Sequence, residues 1–186
     1  MTTIRHERVS DIDAREAIID QAFGEARYRK SSERLREERL PAEGLSFIAT
    51  ENRRVIGTAR LWNIAIGNGV LALLLGPVAV ACEHQGRGIG AALVKRAIRD
   101  ARKAGYAAIL LVGDAPYYGR FGFSAAKTGA LAMPGPYDPH RLLGLELAPG
   151  ALDGASGVIA AAGRPQTQPD LALLVAQDAR AERPAA

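Results

Sequence analysis

From Leu61 to Cys82 the chain carries no charged residue, and soon after that run comes Gln85-Gly86-Arg87-Gly88-Ile89-Gly90 at the head of an amphipathic helix. Such a succession limits the chain to folds in which a covered strand feeds a helix through a glycine loop. Three glycines in five residues remove the Cβ atoms that keep ligands from the backbone, and they permit φ angles that other residues resist. The free N–H groups of the first helical turn, with the positive end of the dipole, then face whatever anion sits there. At the helical period Ile89, Leu93, Val94, Ala97, Ile98 and Ala101 fill one half of the wheel, and Lys95, Arg96, Arg99, Arg102 and Lys103 fill the other. The predicted helix runs from Gly86 to Ala104, with cations in its last turn and Gly105 as a left-handed cap.

Val70 to Cys82 reads as a strand covered on both faces, interrupted by Gly76 and Pro77. Proline cannot donate to a sheet ladder, so it marks a bulge or a place where the strand parts from its neighbour. A parted strand leaves backbone groups without partners, and a ligand lying along it beside the glycine loop would supply them. On sequence alone the plain bulge is the simpler reading. The uncharged run is long enough for a membrane span, but Asn63, the Gly67-Asn68-Gly69 turn and Pro77 make it a hairpin instead.

A length of 186 residues fits one domain with its own core and would cramp two. The expected division is a domain over 1–149 and a C-terminal extension over 150–186, rich in Ala, Gly, Pro and Gln. That extension is expected to be weakly structured or to dock one helix around Leu171 to Ala176. A formal charge of +4 with 5% aromatics and no long basic run argues against a nucleic-acid reader, while a groove for an anionic cofactor accounts for the excess equally well. Cys82 is the single cysteine, which rules out an internal disulfide, and it reads as a small apolar residue at the buried end of a strand rather than a nucleophile. Arg5, Glu7 and Arg8 leave no apolar core for a signal peptide, so the expectation is a cytoplasmic protein without a membrane partner.

Along the chain, Thr2 to Val9 suggests a first strand, and Ser10-Asp11-Ile12-Asp13 a helix start with Ser10 as cap and Asp13 reaching back. Ala17, Ile18, Ala22 and Phe23 would form its buried face. A charged helix is expected over Ser32 to Leu40, its arginines and glutamates a solvated face, although the segment also suits the border of a substrate mouth. Leu45 to Thr50 and Val55 to Ile66 read as strands joined by a turn at Asn52 and Arg53. After the glycine-loop helix, Ala107 to Val112 is a buried strand that the crossover places parallel to its predecessor. A short helix at Pro116 to Arg120 and a last strand at Leu142 to Leu147 complete the reading.

Gly86-x-Gly88-x-x-Ala91 also matches a dinucleotide fingerprint, but antiparallel strands precede it and no acid ends the next strand. A P-loop fails as well, for no Gly-Lys-Ser or Gly-Lys-Thr follows. Gln85-x-x-Gly88-x-Gly90 after a strand, followed some thirty residues later by Tyr118-x-x-x-Gly122-Phe123, resembles instead the GNAT superfamily of acyl-CoA-dependent N-acetyltransferases. The likeness spans Ile4 to Phe123 in element order. It implies an α/β (α+β) fold with a mixed, mostly antiparallel central sheet flanked by helices and a splayed fourth strand.

The resemblance further implies that amides around Gln85, Gly86, Arg87, Gly88, Ile89 and Gly90 hold the pyrophosphate of acetyl-CoA, with Val78 and Val80 offering backbone groups to the pantetheine arm. Tyr118 falls where many members have the tyrosine that protonates the departing thiolate, and the next residue back, Tyr117, is the competitor for that role. Phe121 and Phe123 read as core. Two departures stand out: Cys82 replaces a frequent proline, and Gly113-Asp114 replaces a frequent asparagine after the fifth strand. The expected activity is acetyl transfer to a small-molecule or peptide amine in a ternary complex, without a metal. A non-catalytic acyl-CoA-binding or regulatory module is the alternative, and a homodimer is allowed. Glu83 is taken as the base, with Glu51, His140, Glu146 or a chain of waters as substitutes, and Trp62 with the charged segment from Arg27 to Arg39 would shape the acceptor pocket.

Overall fold

The structure, a computed structural model, describes residues 1–67 and 69–166. Strand β1 (Thr3–His6) leads through a single tight turn to helix α1 (Ile12–Phe23), and β2 (Ser46–Glu51), β3 (Arg54–Ile66) and β4 (Val70–Val80) then form an antiparallel meander. Helix α2 (Ile89–Lys103) crosses to β5 (Ala108–Val112), and α3 (Ala115–Gly119) follows at once. The remaining elements are β6 (Leu131–Ala132), β7 (Leu142–Glu146), β8 (Gly157–Val158) and β9 (Ala160–Ala161). The main sheet has seven strands in the order β1-β2-β3-β4-β5-β7, with β9 beside β3. Among the described residues its only parallel pair is β4 with β5, as a helical crossover requires.

Asn52 and Arg53, at φ 49 and 63, make the tight turn that sets the β2–β3 register. On one face of the sheet α2 buries Leu93, Val94, Ala97 and Ala101 against Phe47, Ile56, Ala59 and Leu61. The helix presses close at Gly57, where an added Cβ would lie 3.2 Å from Leu93 Cδ1 and 3.1 Å from the Ala79 carbonyl. On the other face Trp62, Ile64, Ile66 and Leu74 are covered by Leu35, Met133, Leu152 and Ile159 from the loops. Helix α1 packs Ile18 and Ile19 on Ala79 and Ala81 of the β4 end.

Several expectations change. Helix α1 is started by Asp11 rather than Ser10 or Asp13: its Oδ2 accepts the Arg8 N–H at 2.8 Å while both oxygens take Arg5, at 2.6 and 2.8 Å. Its inward face is Arg15, Ile18 and Ile19, with Phe23 half-buried, whereas Ala17 and Ala22 are exposed. Ser32 to Leu40 is a series of turns, not a helix, with Glu38 at φ 54. The left-handed φ of Glu38 breaks any helical run there, and Leu35 and Arg36 both turn inward rather than leaving the charged residues as one solvated face. Cys82 is exposed, because β4 ends at Val80. Strand β7 is not the last, for the chain beyond Pro149 buries Leu152 and Ile159 and adds β9 to the edge of β3. The expected helix at Leu171 to Ala176 lies outside the described residues. Among the described residues no helix is long and apolar enough to cross a membrane.

Leu93 has no exposed surface, so Leu93→Ala should remove about 2–5 kcal/mol from the unfolding free energy measured by chemical denaturation.

Candidate active site

The glycine loop has the expected cradle geometry. Gly86 and Gly88 adopt φ +74 and +78, and a Cβ at either would meet nothing within 4 Å. Gly88 is the left-handed N-cap of α2, whose first backbone bond is Ala92 N–H to Gly88 O at 3.0 Å. The N–H groups of residues 86–91 therefore have no backbone acceptor, and buried Ile89 anchors the turn that presents them. Gly86, Gly88, Ile89, Gly90 and Ala91 line a cleft of about 490 Å³ together with Val78, Val80 and Gln85, and Arg87 does not line it. The Arg87 side chain turns away: its guanidinium holds Glu51 at 2.8 and 3.0 Å, and this keeps the Glu51 carboxyl down at about 2. Of the loop residues expected to hold the anion, Arg87 is the one whose side chain is spent on an ion pair with β2.

The strand beside the loop is parted from its neighbour. Strand β4 pairs with β5 only at Leu73 and Leu74, and from Gly76 onward β3 is its sole partner among the described residues. The register against β3 shifts between Ala59 and Leu61, across from Gly76 and Pro77. Beyond the shift the Ala81 N–H donates to Ile56 O at 3.0 Å, so residues 79 and 81 bond β3 while Val78 and Val80 turn their backbone groups to the open side. The Val80 carbonyl there accepts the Gln85 side-chain amide at 3.3 Å. Bulge and parting, alternatives in the sequence, are one feature.

Helix α3 supplies the tyrosines. Asp114 caps it, its Oδ2 accepting the Tyr117 N–H at 3.1 Å, which gives the residue found in place of the family's asparagine a structural role. Preceding it, Gly113 is the seat of Tyr118: a Cβ there would stand 2.4 Å from Tyr118 Cε2. The Tyr118 ring also packs edge-on to Phe123, with centroids 6.0 Å apart, and Phe123 is buried as expected. Burial, with Tyr117 alongside, pushes the Tyr118 phenol up to about 12, and Arg141 opposes the rise.

A second cavity of about 450 Å³ adjoins the first, lined by Trp62, Gly76 and Pro77 and by the segment from Arg27 to Arg36. Only Val78 and Tyr118 line both clefts among the described residues; Tyr117 lines the glycine-loop cleft alone, and its hydroxyl lies 3.2 Å from the position of a Gly90 Cβ. The Trp62 Nε1–H donates to the Gly76 carbonyl at 2.6 Å and so holds the bulge from the cavity side. Three contributors escaped the sequence reading: Gly113, Arg60 and Arg141. A lone arginine in the apolar run of β3 was a usable signal for Arg60, whereas Arg141 is brought in by β7, with its Nε–H on the Gly113 carbonyl at 3.3 Å.

The expected bases fare differently. Glu83 is exposed and lines neither cleft, and the same holds for His140, exposed in a short turn. Glu146 is engaged by Lys127 at 2.9 Å and by the Leu152 N–H at 2.8 Å, and Glu51 by Arg87. Within the second cavity, Glu16 is held below the usual carboxylate range, because hydrogen bonds from Arg27 and Arg15 outweigh the effect of burial. Among the described residues no group of three or more His, Cys, Asp or Glu stands together as a metal site.

The profile of the acetyltransferase (GNAT) domain matches residues 3–126. Among curated proteins, the N-acetyltransferase YjhQ of Escherichia coli (strain K12) is 31% identical over 67% of this chain and 70% of its own. Among solved structures, the GNAT family N-acetyltransferase YhbS from Escherichia coli in complex with CoA superposes with a TM-score of 0.73 at 28% identity, covering 86% of this chain and 89% of that one. A GNAT family acetyltransferase from Brucella melitensis in complex with acetyl-CoA gives 0.62 at 27% identity, covering 86% and 95%. With its mixed, mostly antiparallel sheet, its parted β4 and its glycine cradle at the head of α2, the chain belongs to the GNAT superfamily of N-acetyltransferases.

Proposed function

We propose that the protein transfers the acetyl group of acetyl-CoA directly to an amine held in the second cavity, with Tyr118 as general acid. The observation that carries this reading is that Tyr118 and Val78 form the wall common to both clefts. A thioester reaching along β4 from the glycine loop and an amine entering from the second cavity meet at that wall, which supplies the proximity a bimolecular transfer needs. Acetyl-CoA brings an activated thioester, and the chain supplies the rest. The amides of residues 86–91 bind the pyrophosphate, and the outward backbone groups of Val78 and Val80 align the pantetheine arm. The Val78 N–H is available for the carbonyl oxygen as charge develops on it. The Tyr118 hydroxyl, protonated throughout the neutral range, delivers a proton to the leaving sulfur.

For the amine's own proton Glu83 is set aside by its position. Among the carboxylates of the cavity, Asp114 alone has no cationic partner among the described residues, whereas Glu16 and Glu33 are bonded to arginines. Proton loss through water toward Asp114 is the route that the placement favours.

Calorimetry should show acetyl-CoA binding that Gly88→Val weakens by about tenfold or more, since a side chain in the cradle keeps the anion from the N–H groups. No binding by the unaltered protein overturns the reading. Tyr118→Phe should lower kcat about a hundredfold or more and leave CoA affinity unchanged, and equal turnover would remove the general-acid role. Gly113→Ala should mimic that loss by displacing the ring, and a crystal structure showing Tyr118 unmoved would contradict the seating argument. Because the phenol lies near 12, kcat should show no alkaline fall from Tyr118 up to about pH 10, and a fall that Tyr118→Phe abolishes would refute the placement.

A further inference from the structure

The acceptor cavity holds more positive charge than its acids answer. Arg27, Lys30, Arg36, Arg60 and Arg141 line it, against Glu16, Glu33 and Asp114. Two of the acids are spent on cations, Glu16 on Arg15 and Arg27 and Glu33 on Arg36 at 2.5 Å, which leaves Asp114, bonded to the Tyr117 N–H, as the one carboxylate without a cationic partner among the described residues. The cations are not answered in the same way. Lys30 and Arg141 have no carboxylate partner among the described residues. Arg60 has only Glu7, 3.3 Å from its Nε in poor hydrogen-bond geometry and shared with Arg15, while its guanidinium lies 4.8 Å from the Trp62 ring centre on the cavity wall. Arg36 is 9% exposed, and its Nε has no hydrogen-bond partner.

These cations also act on one another. Burial lowers the Lys30 ammonium, with Arg36 and Arg141 adding to the effect, and burial lowers Arg60 to about 10, with Arg15 and Arg36 contributing. Like charges gathered in a partly desolvated cavity repel until an anion enters, and such an anion gains from several of them at once. A polyamine or other purely cationic acceptor would add to that repulsion. The volume, about 450 Å³, falls in the range of small-ligand pockets.

Resting on the acetyltransferase reading above, we propose that the acceptor is a small amine that itself carries an anionic group, a carboxylate or a phosphate, and that Arg60 and Arg36 hold this group while its amine faces Tyr118. The amine nitrogen attacks the thioester carbonyl, the N–C bond replaces the S–C bond, the sulfur takes a proton and the amine loses one. The anionic group is untouched. Recognition by a planar fork beside an aromatic ring suits either anion, since both accept paired N–H donors.

The test compares matched acceptors: an α-amino acid, its C-terminal amide, its decarboxylated amine, an aminoalkyl phosphate and a polyamine. Thiol release from acetyl-CoA is followed, with CoA binding measured by calorimetry on the same protein. The anionic members should exceed the amide and the decarboxylated amine at least about tenfold in kcat/KM, and the better of the two identifies the anion. Arg60→Gln and Arg36→Gln should erase that gap mainly through KM, with CoA affinity retained. Since either buried arginine affects folding, Arg141→Gln at the exposed rim is the companion, raising KM for the anionic acceptors relative to the amide and the decarboxylated amine, whatever it does to kcat for all of them. Should no amine react, the anionic members must still raise the Tm of the CoA-bound protein. Equal or better use of the neutral or cationic amines, or no such rise, overturns the proposal while CoA binding stands. Loss of CoA binding itself would instead overturn the acetyltransferase reading.

Discussion

Everything in this site follows from the point at which β4 stops pairing with β5. The two strands share only Leu73 and Leu74, and beyond them β4 continues with β3 alone. An unpaired strand edge in the interior of a domain is costly, since each idle N–H or C=O forfeits a hydrogen bond in a partly dry environment. A protein keeps such an edge where something else satisfies it. In the proposed reaction that partner is the pantetheine arm, and the edge sets its direction, with the α2 amides at one end and Tyr118 at the other.

Holding the parting open requires devices on both sides of the strand. Pro77 cannot join a ladder, and Trp62 fixes the Gly76 carbonyl from the cavity side. On the other side β5 ends at Val112, and Gly113 lets the Tyr118 ring occupy the space where a continued strand would pair. Strand, bulge and tyrosine are therefore one packing solution, and a change at any of them is felt at the others.

The sequence made legible what rests on local chemistry. An uncharged strand, a glycine loop and a one-sided helix have the same meaning in any fold, and the interval from Tyr118 to Gly122-Phe123 singled out the tyrosine that the structure sets on the wall common to both clefts. What stayed hidden depends on tertiary partners. Asp11 stands at the head of α1 because Arg5 from β1 and the Arg8 N–H hold its carboxylate, and the turns after residue 30 carry both Leu35 and Arg36 inward. Glu83 looked close to the chemistry along the chain, yet β4 ends before it and the residue faces outward. Arg60, Arg36 and Arg141 come from separate elements, so no spacing in the sequence announces their meeting.

Their meeting bears on the acid itself. A phenol near 12 is a reluctant donor to an alkyl thiolate, whose pKa in cysteine is about 8.5, and on such values alone the transfer is uphill. Two features of the site narrow the gap. Burial that raises the phenol raises the thiol as well, because a naked thiolate is equally disfavoured in the same cleft. Arg141 acts in the opposite sense on the phenol, favouring its ionised form. The proton moves only as the sulfur gains charge, when a charge-assisted hydrogen bond from Tyr118 is at its strongest. In the proposed reaction the cations around this cavity therefore serve two steps: together they favour an anionic substrate, and Arg141 among them eases the departure of a proton from Tyr118.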